Sequence, residues 1–218
     1  MSGKISAELL SRLLPRGINP LVFDSLPSTN AHLRELAALG APEHTLVVAA
    51  SQTSGRGRYN RTFFSPPGTG VYFSILLRLM PQDNTATLVT VAAALASAEA
   101  CETVFSVSAE IKWVNDVLVG GRKAVGILAE AFSGGDFFVI LGIGANIAPP
   151  PGGFPPELGG AGAFSDRAEP GSRERFVAET VTRLLGYLDS ADMPSLLAPY
   201  RRRVKMTGSL VDVTRGSE

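Results

Sequence analysis

Apolar and polar positions alternate along this chain with two different periods. "SAELLSRLLPRG" carries helical spacing and is closed by Pro15 and Gly17. "PLVFDSLPSTN" predicts a strand followed by a helix start capped at Ser28 and Thr29, and the helix "NAHLRELAALG" ends at Gly40. "TLVVAAS" and "GVYFSILLRL" are apolar runs of strand length. A long helix is predicted from about Asn84 to Thr103, with Leu88, Val91, Ala92, Leu95 and Ala98 along one face.

"AEIKWVNDVLVGGRKAVGILAEAFSGGDFFVILGIGANI" predicts three or four strands in an antiparallel meander, turning at Gly120-Gly121 and Gly134-Gly135. Proline and glycine dominate from Ala148 to Gly171; a loop of that length inside a domain is usually functional or mobile. Helices are predicted from Ser172 to Leu188 and from Met193 to Val204. The pattern is α+β: a mixed, largely antiparallel sheet with helices packed on one side, without repeats or a second core.

Composition narrows the function classes. Lysine and arginine together number 20, as do aspartate and glutamate, and this neutral balance argues against a nucleic-acid coat or a binder of acidic membranes. A nucleic-acid module would also want aromatic stacking residues and a wider basic face, whereas there is one tryptophan. The single cysteine, Cys101, lies in an alanine-rich helical run and predicts an inert buried thiol and a reducing compartment. No apolar run is expected to reach the ~20 residues of a membrane helix. The first residues are too polar for a secretory signal, so the expected location is the cytoplasm.

Against that neutral background, "SQTSGRGRYNR" gathers Arg56, Arg58 and Arg61 with Gly55 and Gly57 between two core strands. Arginine stays charged and offers a fork of donors suited to phosphate, while the glycines let backbone amides approach an anion. The lysine and serine or threonine of a P-loop are missing, so this is not a Walker site. Alternation puts Lys112 and Val114 on one strand face and Trp113 on the other; Asn115 and Asp116 turn; Lys123 starts the next strand and could reach into a pocket beneath the sheet. "GIGAN" places Gly142 and Gly144 at a strand end before Asn146, where a ligand could lie against the backbone.

Four stretches, "DSLPSTN", "SQTSGRGRYNRTFFSPPGTGVYFSILLR", "IKWVNDVLVGGRKAVGILAE" and "GIGANI", resemble the catalytic domain of biotin protein ligases in order and spacing, from about Phe23 to Tyr200. The resemblance implies the class II synthetase-like biotin/lipoate ligase fold. It implies two half-reactions: biotin and MgATP give biotinyl-5′-adenylate and pyrophosphate, and a lysine of a biotin carboxyl carrier domain then takes the biotinyl group. It implies that Ser28, Thr29 and Asn30 surround the biotin rings. Gln52, Gly55, Arg56, Gly57 and Arg58 would fold over biotin and its adenylate. Gly126, Leu128, Gly142 and Gly144 would line the biotin floor. Lys123 would sit by the biotin carboxylate and the α-phosphate, with Arg58 and Lys112 as the other catalytic cations. Asn115, Asp116, Lys112, Asn146 and Phe63 would hold the nucleotide, Arg61 would steady the triphosphate, and Asp116 could assist deprotonation of the acceptor lysine. No protein-bound metal is implied beyond the Mg2+ that accompanies ATP.

The chain departs from the pattern at Phe63, where tryptophan is usual, at Val114, where proline is usual, and at Tyr59 and Asn60. By resemblance, residues 1–206 form the catalytic domain and 207–218 begin an incomplete SH3-like domain. The ~20 residues that precede the catalytic part are expected to be too few for the helix-turn-helix domain of the family's regulatory members. Family members often dimerise, and "DFFVILGIG" could pair across such a homodimer. The rival readings are a biotin-binding remnant with weak or no ligase activity, and a lipoate or octanoyl transferase of the same fold, whose arginine and triple-glycine signature is absent here.

Overall fold

Strands β2 (Leu46–Ala49) and β3 (Gly70–Leu77) are buried at every residue, which requires cover on both faces of their sheet. The computed structural model describes residues 4–79, 85–133, 137–189, 193–205 and 208. With β1 (Pro20–Phe23), β4 (Ala109–Lys112), β5 (Asp116–Val119), β6 (Arg122–Phe132) and β7 (Phe138–Asn146), these strands form one seven-stranded sheet in the order β1-β2-β3-β7-β6-β5-β4. β1 and β2 are parallel and the remaining neighbours antiparallel, so the sheet is mixed and largely antiparallel, as expected.

Helices α1 (Ala7–Leu13), α3 (Thr85–Phe105), α4 (Ser172–Asp189) and α5 (Met193–Arg203) contribute Leu10, Leu95, Phe176 and Leu196 to one core, against Phe73, Ile75, Val125 and Ile143 of the sheet. Helix α2 (Thr29–Ala38) packs on the other face, where Leu33 and Ala37 meet Val47, Leu76 and Ile140. The one-sided arrangement therefore holds for four helices, and α2 stands apart from them. This placement fixes the site, because the α2 face is the one that carries it.

Helix α3 differs from its expected amphipathic form. Besides the predicted face, Val89, Ala93, Ala94, Ala96 and Ser97 are buried, because the helix lies between the sheet and the α4–α5 layer. By length and composition it is apolar enough to cross a membrane, contrary to the reading of the sequence, but most of it is buried inside the protein. Its small residues allow α4 to approach closely, and Cys101 is buried within it, as expected.

The meander forms as predicted, with Gly120 and Gly121 at positive φ (57° and 76°) between β5 and β6. The turn expected at Gly134-Gly135 lies outside the described residues. So does the expected start of an SH3-like domain in 207–218, Gly208 aside. Strand β7 is hydrogen-bonded along its length to β3 on one side and β6 on the other, so the expected pairing of this strand across a dimer has no free edge to use.

A bulge decides where Lys123 points. Val117 pairs with Val125 but Leu118 pairs with Lys123, which leaves Ala124 as an extra residue in β6. Ala124 and Val125 consequently both face the main core, and Lys123 comes to the same face as Gly126 despite an odd spacing that simple alternation would put on opposite faces.

Candidate active site

On the α2 face, three adjacent strands present small residues side by side. Ser74 of β3 is opposite Gly142 of β7, and Gly144 of β7 is opposite Gly126 of β6. The result is a depression in the sheet, occupied by two side chains. The Asn30 carboxamide lies over Gly142, where an added Cβ would collide with Oδ1. The Phe63 ring lies over Gly126 and Gly144, where a Cβ on either would stand 2.6 Å from it.

The polar end is built from the start of α2. Ser28 is the N-cap, its hydroxyl accepting from the Ala31 N–H. Gln52 Oε1 accepts from the Thr29 N–H at 2.9 Å and lies 3.2 Å from Thr29 Oγ1, while its Nε2 donates to Ser65 Oγ at 3.1 Å. The Thr29 N–H can only donate, so the Gln52 amide has a fixed orientation. Asn30 Nδ2 donates to Glu130 Oε2 at 2.7 Å and, at a longer 3.5 Å, to the Leu128 carbonyl, while Oδ1 accepts from Ser74 Oγ at 2.6 Å. Both ends of the Asn30 side-chain amide are thus engaged inside the protein.

The arginine loop closes on itself as a hairpin. The Phe63 N–H donates to the Gly55 carbonyl at 2.9 Å and the Gly57 N–H to the Arg61 carbonyl at 2.7 Å, with Tyr59 at φ 55° at the tip. Gly55 is required there because a Cβ would strike the Phe63 carbonyl. Arg58 turns inward: Nη1 donates to Asn115 Oδ1 at 3.2 Å, and the guanidinium lies 5.1 Å over the Tyr59 ring. Asn115 in turn donates from Nδ2 to the Ile127 carbonyl at 3.1 Å, which anchors the loop to β6.

Two cavities meet above the glycine floor. The larger, about 370 Å³, is lined by Lys112, Asp116, Asn146 and Phe64 and by Phe154, Glu157 and Leu158 of the proline- and glycine-rich loop. The smaller, about 50 Å³, is lined by Thr29, Gln52, Gly57, Arg58, Asn115, Leu128 and the floor glycines 126 and 144. Phe63 and Lys123 line both. Lys123 Nζ is 2.8 Å from Asp116 Oδ1 and 5.8 Å from the Phe63 ring centre, and its backbone is clasped by the loop: its N–H donates to the Gly160 carbonyl, and its carbonyl accepts from the Gly162 N–H, both at 2.8 Å. Asn146 Nδ2 holds the same loop through the Gly162 carbonyl at 3.0 Å.

The residues singled out from sequence therefore separate into groups. Thr29, Gln52, Gly57, Arg58, Gly126, Leu128 and Gly144 share the small cavity with Lys123; Phe63, Lys112, Asp116 and Asn146 share the larger one with it. Asn115 lines the small cavity, whereas Gly55, Arg56 and Arg61 line a third, about 620 Å³, beneath the arginine loop. Ser28, Asn30 and Gly142 support the wall from behind. Ser74, Ser65, Glu130 and the loop residues Phe154, Glu157 and Leu158 join the site without having been predicted. Ser74 had a signal, being the one hydroxyl in the otherwise apolar "GVYFSILL", and so did Glu130, the acid within "GILAEAF".

Burial pushes the Tyr72 phenol up to about 12, beside Phe63 in an edge-on contact with 6.2 Å between ring centres. Asp116 and Glu157 offer the larger cavity two carboxylates, the donor type that suits Mg2+. Among the described residues no group of three or more metal-ligating side chains occurs.

The profile of the biotin/lipoate A/B protein ligase family matches residues 22–146. The chain is 43% identical over 145 residues to the bifunctional ligase/repressor BirA of Bacillus subtilis, covering 65% of this chain and 44% of that protein, and so spans less than half the length of that relative. It is 33% identical over 197 residues to a biotin–[acetyl-CoA-carboxylase] ligase of Mycobacterium tuberculosis, covering 85% of this chain and 71% of that one. Among solved structures it is similar to a biotin protein ligase from Aquifex aeolicus in complex with biotin and ATP, with a TM-score of 0.73, 25% identity and coverage of 85% and 78% of the two chains. The fold is also that of a biotin protein ligase from Leishmania major in complex with biotinyl-5-AMP, with a TM-score of 0.76 at 22% identity over 94% and 87% of the two chains. By sequence and fold, this chain belongs to the biotin/lipoate A/B protein ligase family.

Proposed function

We propose that this chain joins biotin to ATP, giving biotinyl-5′-adenylate and pyrophosphate, and then passes the biotinyl group to a lysine of a biotin carboxyl carrier domain. The observation that carries the reading is the position of Lys123 and Phe63 at the junction of the two cavities. Biotin would enter the small cavity and ATP the larger one, so that carboxylate and α-phosphate meet beside the Lys123 ammonium.

The residue types fit that reaction. The carboxylate oxygen attacks the α-phosphorus, the new O–P bond forms, and the bond to the pyrophosphate breaks. Negative charge builds at phosphorus, and Lys123 and Arg58 are cations held in advance by Asp116 and Asn115. The nucleophile is already an anion, so this step needs no general base. In the second step the acceptor amine attacks the acyl carbonyl, AMP leaves, and the amine loses a proton, which Asp116, the carboxylate paired with Lys123, would take. Mg2+ would accompany ATP in the larger cavity, with Asp116 and Glu157 as the protein oxygens at hand. The closed arginine loop keeps water from the anhydride.

Biotin is favoured over lipoate by the polar end of the small cavity. Thr29 and Gln52 offer hydroxyl and amide groups there, which match the N–H and C=O groups of a cyclic urea and have no counterpart on a dithiolane. The buried Cys101 thiol and the site chemistry suit action in the cytoplasm. The test is biotin-dependent exchange of pyrophosphate into ATP. The native chain should exchange, and Lys123→Ala should lose about 10²–10³-fold while remaining folded. Undiminished exchange in that variant would sink the assignment.

A further inference from the structure

We propose that Glu130 is a positioning residue: through Asn30 and Ser74 it sets the direction of a hydrogen-bond chain, and so leaves the Thr29 hydroxyl oxygen free to accept a ring N–H of the ligand. This rests on the biotin reading above. Glu130 itself faces the cavity under the arginine loop rather than the small cavity, so it acts only through its neighbours.

The direction follows from counting protons. A carboxylate accepts and has none to give, so the Asn30 nitrogen must face Glu130 and the Asn30 oxygen must face Ser74. That oxygen carries no proton, so Ser74 spends its single proton on it, at 2.6 Å. Ser74 then has nothing to donate to Thr29 Oγ1, 2.8 Å away, and must accept there. Two hydroxyl oxygens 2.8 Å apart need a proton between them, so the Thr29 proton goes to Ser74 rather than to Gln52 Oε1 at 3.2 Å, and the Thr29 oxygen keeps its lone pairs for the small cavity that Thr29 lines. If the Asn30 amide were reversed, Ser74 would receive a proton from Asn30 and pass its own to Thr29. The ligand N–H would then compete with Ser74 for that oxygen. Gly142 leaves room for the amide in the required orientation.

The experiment is calorimetric titration of the full chain with biotin, and with an analogue carrying oxygen in place of the ring N–H groups. Glu130→Gln can still present an oxygen to Asn30 and should bind biotin within about threefold of the native chain. Glu130→Met fills the space but removes the acceptor, and should lose about tenfold or more for biotin and little for the analogue. Asn30→Asp puts two carboxyls face to face. They must share a proton, so biotin affinity should fall as pH rises from about 6 to about 9. The double variant Asn30→Asp with Glu130→Gln restores a donor–acceptor pair with the Ser74-facing oxygen intact, and should recover affinity and lose that pH dependence. Biotin binding by Glu130→Met equal to that of the native chain overturns the proposal. Equal losses for biotin and analogue, or no recovery in the double variant, overturn it as well by leaving Glu130 a merely structural part. Failure of the native chain to bind biotin at all would instead overturn the functional reading on which this rests.

Discussion

The Asn30 carboxamide occupies the space that any side chain at position 142 would need, so the glycine of β7 and the amide of α2 form a single fitted pair. By resemblance, Gly142 belongs to a ligand floor; in the fold it is the seat of Asn30, and the glycines that line the small cavity, under the Phe63 ring, are Gly126 and Gly144. Gly142→Ala should push the amide off both Ser74 and Glu130, costing about 1–3 kcal/mol of stability and weakening biotin binding. Gly144→Ala meets only a movable ring edge and should be the milder change. Chemical denaturation beside calorimetry would rank the two, and the reverse ranking would contradict this packing.

Arg58 ties the loop to Asn115. Arg58→Gly should free the loop, release activated biotin, and label bystander lysines on added proteins. Labelling that becomes weaker but stays confined to the carrier domain would show that retention of the intermediate lies elsewhere.

Phe63 is the partition between the two cavities. Phe63→Ala should merge them, raise KM for both biotin and ATP by about tenfold, and let water reach the adenylate. Release of free biotin and AMP in the absence of carrier protein is the readout. A change confined to ATP would mean that the ring serves the nucleotide alone.

Three of the four tyrosines, Tyr72, Tyr187 and Tyr200, hold their protons to about 12 rather than the ordinary 10, in each case mainly through burial; Tyr187 is also held by its hydrogen bond to Glu99. In the unfolded chain these phenols ionise near 10, so the stability they contribute is complete below about pH 10 and is lost as pH rises toward 12. Their tyrosinate absorbance should therefore appear together with loss of helical circular dichroism. Three phenols titrating smoothly in the folded state would refute the burial assigned to them.

Local pattern was enough for the elements and for the charged loop, because strands such as "LVVA" and the cap at Ser28 are decided within a few residues. Long-range packing was not legible. The burial of α3 all round depends on layers that come from α4 and α5, far along the chain. The alignment of Lys123 with Gly126 depends on a bulge that alternation cannot reveal. Glu130 and Ser74 entered the site through contacts with Asn30 at sequence separations of 100 and 44 residues, which no local window contains.

The clasp on Lys123 is made of main chain alone: Leu118 on one flank, Gly160 and Gly162 on the other. Backbone pairing is indifferent to which side chain it carries, so position 123 is a socket that should hold its orientation when refilled. A designer could place a shorter, longer or unnatural amine there and move the charge along a fixed axis, surveying the reaction's demand for cation placement without rebuilding the protein around each choice.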